Sequence, residues 1–164
     1  ARVISSPLAR ARETARPIAE ASEVRLEIDE RLIDRAYGDS DGRSAEEVRQ
    51  EYGSLDLAPG VEPAESVAVR AHAVIDDLLL DGAEAPVALV SHDAVIRILL
   101  DQLAPSPSHS EHLPPRTGCW SLLRHDGASW RLLMANSKDD PIETVLALRS
   151  APNDLAPDLT TVQD

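Results

Sequence analysis

Residues 3 to 15 read Val3-Ile4-Ser5-Ser6-Pro7-Leu8-Ala9-Arg10-Ala11-Arg12-Glu13-Thr14-Ala15, and the change of character inside this stretch decides the fold class. Arg2 to Ser5 reads as the end of a short strand. Pro7 then opens a helix, where its missing N–H costs nothing. Leu8, Ala11, Ala15, Ile18 and Ala19 keep helical spacing, and Pro17 is expected to kink or shorten that helix. The same sequence of events recurs downstream. Pro86 to Ser91 is almost wholly apolar, as a parallel strand buried on both faces requires, and a helix follows from Asp93 to about Leu103.

The segments between these two units extend the pattern. Val24, Leu26 and Ile28 alternate with charged residues, which reads as a strand with one wet face. Residues 34 to 43 form a polar, glycine-punctuated loop, and Ser44 to Glu47 makes a capping box that starts a helix ending near Tyr52. Val67, Ala71, Val74, Ile75, Leu78 and Leu79 mark a long amphipathic helix. Residues 104 to 117, rich in Pro, Ser and His, read as a loop or lid. Cys119–Leu123 and Trp130–Met134 flank His125-Asp126-Gly127, a hairpin signal. From about Ser150 the chain turns polar and Pro-containing, a loosely held tail. Strands alternating with helices, closed by a late hairpin, predict an α/β layered domain with a mainly parallel sheet.

Composition narrows the function classes. The chain has 164 residues, of which 43% are hydrophobic, enough for one domain with a core. A formal net charge of -13 argues against a nucleic-acid partner, since such a chain repels phosphate backbones. A few arginines still suffice for a local anion pocket. No apolar run approaches the roughly 20 residues of a membrane helix, and no signal peptide is legible. Cys119 is the single cysteine, so no intrachain disulfide forms; it reads as a small buried hydrophobe. These features together lead us to expect a cytoplasmic protein with no membrane partner. The chain opens Ala1-Arg2-Val3-Ile4, without Met and already inside strand-like sequence, so we expect a segment upstream.

Both strand-to-helix junctions end in serine, Ser5-Ser6 in the first and Ser91 followed by His92 and Asp93 in the second. In open α/β sheets ligands bind beyond the carboxyl ends of strands, where helix N-termini offer free N–H groups to an anion. Arg10, one turn into its helix, and His92, at the mouth of its strand, are therefore candidates for a phosphate pocket. Singly, Arg10 reads more often as a surface charge, and His92 as a satisfied core histidine or a helix-cap partner. Asp93 most simply caps its helix. Asp34, Asp39 and Asp41 read as solvated loop carboxylates unless the loop folds over the strand ends, where one serves as a general acid.

These residues resemble the histidine phosphatase (phosphoglycerate-mutase-like) superfamily. Residues 3 to 15 are similar to its strand-Ser-Leu-x-Arg-Ala-x-x-Thr-Ala motif. Leu32 to Gly38, followed by Asp41-Gly42, resembles its acid loop. Pro63-Ala64-Glu65-Ser66, with Arg70 four residues on, resembles its Gly-Glu-Ser helix entry. Val87 to Arg97, centred on Ser91-His92, resembles its second histidine segment. Gly118 to Trp120 and Trp130 to Asn136 resemble its closing hairpin. The five segments occur in the family's order across nearly the whole chain.

The resemblance implies a three-layer α/β/α fold with a mainly parallel sheet, here without its first strand and helix. It implies a domain over residues 1–149 and a tail over 150–164. It implies metal-independent phosphomonoester hydrolysis through a phosphohistidine, without a cofactor. Arg10 becomes a phosphate-binding arginine, His92 the second histidine and Asp34 the general acid. Ser6 and Glu65 become further phosphate-site candidates. The chain departs from the pattern in three places. No Arg-His-Gly occurs, so the nucleophile and one arginine are absent; Asp34 stands where the family more often has Glu; and Asp93 stands where Gly usually follows the second histidine. A carboxylate beside His92 is expected to favour the ring's protonated form. The expected partner is a small phosphorylated metabolite, with the hairpin edge a candidate homodimer surface. Three other readings stay open. They are a phosphomutase, a non-catalytic binder of phosphorylated ligands or proteins, and an unrelated nucleotide-binding module, which would have no glycine-rich or lysine loop here.

Overall fold

Three short strands lie parallel and side by side. In the computed structural model, which describes residues 1–82, 85–105 and 115–139, they are β1 (Arg2–Ser5), β2 (Leu26–Ile28) and β3 (Val87–Val90), in the order β2-β1-β3. Val3 pairs with Leu26 on one side and with Ala88 on the other, and Ser5 is level with Val90. The equal registers of β1 and β3 bring the two strand-to-helix junctions together at one edge.

The pleat sends successive side chains to opposite faces, and each face carries a helix. Ile4 packs with Leu32 and with Val74 and Leu78 of α3 (Ala64–Leu80), flanked by Val87 and Leu89. Val3 packs on the other face with Ala15 and Ala19 of α1 (Ala9–Ala21), flanked by Ile18, Val24, Leu26, Ala88 and Val90. Helix, sheet and helix make the expected three layers. Small residues on α1, all of them alanine where it is buried, let that helix lie close to the sheet.

Several local expectations differ in detail. The first helix begins at Ala9 and not at Pro7, because Ser6 Oγ accepts a hydrogen bond from the Leu8 N–H and holds a turn before the helix. It continues through Pro17 to Ala21 without being shortened. β3 is half-buried along its length instead of buried on both faces. It pairs with β1 alone, and its other edge meets no strand among the described residues. The capping box forms as read: Ser44 Oγ accepts from the Glu47 N–H and Glu47 accepts from the Ser44 N–H, starting α2 (Ala45–Tyr52).

The chain divides into two compact units at Leu99–Leu100. The helix α4 (Asp93–Leu103) begins in the first. The second contains the antiparallel hairpin of β4 (Trp120–His125) and β5 (Trp130–Ser137), with Asp126 closing the turn through the N–H groups of Ala128 and Ser129. Most of the expected lid loop, with His109 and His112, lies outside the described residues, as do the end of the domain expected to reach 149 and the 150–164 tail. No helix among the described residues is long and apolar enough to cross a membrane.

Candidate active site

Parallel pairing places the carboxyl ends of β1 and β3 next to each other, and the site is built on that junction. The Ser6 N–H donates to the carbonyl of Val90 at 2.9 Å, one step beyond the last strand pair. Ser6 is fully buried. Its hydroxyl lies 2.7 Å from Nε2 of His92, which is itself buried. The residue just after β1 is thus joined to a residue two positions beyond the end of β3. The His92 carbonyl accepts from the Ile96 N–H, so the ring stands at the start of α4. Asp93 is the first residue of that helix and not the cap before it.

The loop after β2 brings the third group. Asp29 caps a turn of 3-10 helix over Glu30–Leu32, and Leu32, with no exposed surface, anchors it in the core. Ser91 Oγ donates to the Leu32 carbonyl at 2.8 Å, which ties the loop to the end of β3. Asp34 follows. Its Oδ1 accepts from the Arg35 N–H at 2.9 Å, which aims Oδ2 at the strand ends. There Oδ2 accepts from Nη2 of Arg10 at 2.7 Å and faces Nδ1 of His92 at 3.5 Å. Among Asp34, Asp39 and Asp41, Asp34 is therefore the carboxylate held at the strand ends.

Electrostatics here are decided by burial. The His92 pKa is held below its ordinary value, first because burial penalises the imidazolium; the Asp34 carboxylate pulls it up, and Arg10 and Arg70 each add a smaller repulsion. The carboxylate that acts on the ring is Asp34, from the loop after β2. The upward pull expected from the adjacent Asp93 is not among the causes; the one that acts comes from Asp34 and loses to desolvation. The Arg10 guanidinium is mostly exposed, with 64% of its side-chain surface accessible, so its bond to Asp34 is a weak tether that an incoming anion can replace.

Arg10, Asp34, His92 and Ser6 thus meet at one place. Glu65 does not join them: it is exposed in the first turn of α3, and its side chain forms no hydrogen bond or ion pair among the described residues. Two residues assigned no role by sequence reasoning line the support of the acid loop. They are Arg70, noted there only as part of a helix-entry motif, and Glu62, which carried no signal. Arg35, 5% exposed at its side chain, donates from Nε to the Glu62 carbonyl at 2.7 Å. Among the described residues no group of three or more His, Cys, Asp or Glu side chains is placed to hold a metal.

Several solved structures share the fold. A mycobacterial glucosyl-3-phosphoglycerate phosphatase in complex with VO3 superposes with a TM-score of 0.72 at 26% identity, over 83% of this chain and 75% of the other. A protein described as mycobacterial hydrolase 1 gives 0.71 at 25% identity, over 83% and 75%. The alpha-ribazole phosphatase of Shigella flexneri gives 0.68 at 24% identity, over 84% and 73%, a likeness of fold. No curated protein sequence matches the chain. The model of the histidine phosphatase superfamily, branch 1, matches residues 1–138, and the chain belongs to that superfamily.

Proposed function

We propose that this chain carries the phosphate-binding and proton-transfer residues of a phosphomonoester hydrolase that works through a phosphohistidine. The observation that carries the reading is the convergence of Arg10, Asp34 and His92 at the carboxyl ends of two paired parallel strands. Arg10 and His92 hold the phosphoryl oxygens and stabilise charge as the P–O bond breaks. A histidine nitrogen attacks phosphorus, the ester oxygen leaves, and Asp34 gives that oxygen its proton. Water then attacks the phosphohistidine, Asp34 takes the water proton, and inorganic phosphate leaves. Arg10 links two of these steps. It pairs with Asp34 in the free site, and when it turns to the phosphoryl group the Asp34 oxygen it held is released to face the leaving oxygen.

In this reading the attacking histidine is none of those the structure describes. Among the described histidines other than His92, His72 lies within α3 and His125 ends β4, so neither stands at the carboxyl end of a parallel strand. The edge of β3 away from β1 meets no strand among the described residues, and a parallel strand there would end beside His92. In this reading residues 1–149 are the domain and 150–164 a tail. The substrate is a small phosphorylated metabolite turned over in the cytoplasm without a metal, and phosphatase chemistry is favoured over mutase by the phosphatases among its structural relatives.

A non-catalytic phosphate binder is the second reading, favoured by one sequence fact, the lack of Arg-His-Gly. Turnover of phosphate monoesters by the full-length protein, with acid-labile phosphoenzyme trapped on histidine, separates the two. Hydrolysis that falls roughly 100-fold or more in Arg10→Ala and His92→Ala supports the enzyme. Phosphate binding with no turnover supports the binder. Normal rates in both variants sink the assigned roles.

A further inference from the structure

We infer that Arg70 and Glu62 form a positioning pair that holds the backbone on both sides of Asp34 and so presents its carboxylate to the strand ends. The inference rests on the reading of Asp34 as the general acid and adds to it how that acid is aimed.

The problem these residues solve is local. Residues 33 to 37 belong to no helix or strand, so their polar backbone groups have no ladder to join and look to side chains for partners. Arg70 lies in α3, and all its N–H groups are used. Nε donates to Glu62 Oε1 at 2.8 Å and Nη2 to Glu62 Oε2 at 3.0 Å, a two-point fork. Nη1 donates to the carbonyls of Arg31 and Ile33, each at 2.7 Å, and Nη2 also to that of Asp34 at 3.2 Å. One planar group thus grips the chain up to and including Asp34.

Glu62 grips the other side. Its Oε2 accepts from the Ala36 N–H at 3.3 Å, its own N–H donates to the Ala36 carbonyl at 2.9 Å, and its carbonyl accepts from Arg35 at 2.7 Å. Asp34 sits between the two holds. Both side chains are mostly buried, 18% exposed for Arg70 and 21% for Glu62. The geometry demands a rigid, forked cation. A lysine at position 70 would supply the charge with at most three donors and no fixed plane.

Arg70→Lys and Glu62→Gln in the full-length protein test this. A misplaced acid harms an ester whose leaving oxygen needs a proton far more than one that leaves unaided. An alkyl phosphate and p-nitrophenyl phosphate are therefore compared. We expect the kcat ratio of alkyl to aryl ester to fall roughly 10- to 100-fold in both variants, the scale of a displaced catalytic group, and to fall further in Asp34→Asn, with KM little changed. A normal thermal melt in either variant separates misplacement from unfolding, and Glu62→Gln, which keeps the guanidinium and its carbonyl bonds, carries the test if Arg70→Lys does not fold. Folded variants that keep the wild-type ratio, or lose both esters equally, overturn the positioning role. An Asp34→Asn enzyme with an unchanged ratio overturns the acid reading instead. In that case the NMR titration of the His92 ring decides the positioning. With the charge at position 70 kept in Arg70→Lys, a ring that titrates lower than wild type means Asp34 has moved away from it, and an unchanged titration overturns the pair's role.

Discussion

Arg10 Nη2 and Asp34 Oδ2 lie 2.7 Å apart, 24 residues apart in sequence, and the same Asp34 oxygen faces His92. The carboxylate therefore occupies the guanidinium that a phosphoryl group would use. On the proposed reading, acid and anion-binding cation are paired in the free site, and a phosphoryl group and the Asp34 carboxylate compete for Arg10.

That competition predicts opposite effects of two substitutions on binding of inorganic phosphate, read by calorimetry at fixed salt. Arg10→Ala removes a charge-assisted donor and weakens binding roughly tenfold. Asp34→Asn removes both the competitor and a repelling charge, and tightens binding by about two- to fivefold, the weight of an exposed ion pair. Weaker binding in Asp34→Asn would show that the carboxylate supports the anion site and does not compete with it.

The buried ring of His92 predicts a pH dependence of stability. Its folded pKa lies below the ordinary 6.5, because burial disfavours the charged form. As pH falls from that value the unfolded chain takes up the proton first, so stability present above the unfolded pKa is lost as pH drops toward the folded one. Denaturant midpoints for wild type should decline as pH falls below the ordinary value of 6.5, and those of His92→Gln should decline less over the same range. Parallel curves for the two proteins would mean the ring does not feel its burial.

Gly38 predicts a local stability cost with a functional echo. Its φ is +54°, and a Cβ there would come within 2.5 Å of the Gly60 backbone. The loop that carries Asp34 and the loop that leads to Glu62 pack at this point, with the Asp39 N–H donating to the Pro59 carbonyl. Gly38→Ala should destabilise by about 2–4 kcal/mol, combining a left-handed backbone with overpacking against main chain. A melt within error of wild type would mean that the two loops separate freely.

The local elements were legible because their signals are local. The Ser44 and Glu47 capping box, the helical spacing of Val67 to Leu78 and the apolar run before Ser91 each report on neighbours a few residues away. The resemblance that gathered those segments also pointed to the family, and residues 1–138 match it. Arg10, Asp34 and His92 were legible as residue types at strand and loop ends. Their meeting was not, because the ion pair and the 2.7 Å contact of His92 with Ser6 join residues 24 and 86 positions apart, and only the pairing of β1 with β2 on one side and β3 on the other brings them together. Tertiary structure also decided the balance at His92. A carboxylate in the sequence argues for a protonated ring, but burial depends on how many other segments close over it. Glu62 had no pattern at all, since a loop glutamate becomes the partner of Arg70 only when α3 folds back beneath the acid loop. Residue chemistry and short-range geometry are written along the chain; desolvation and long-range pairing exist only after it has folded.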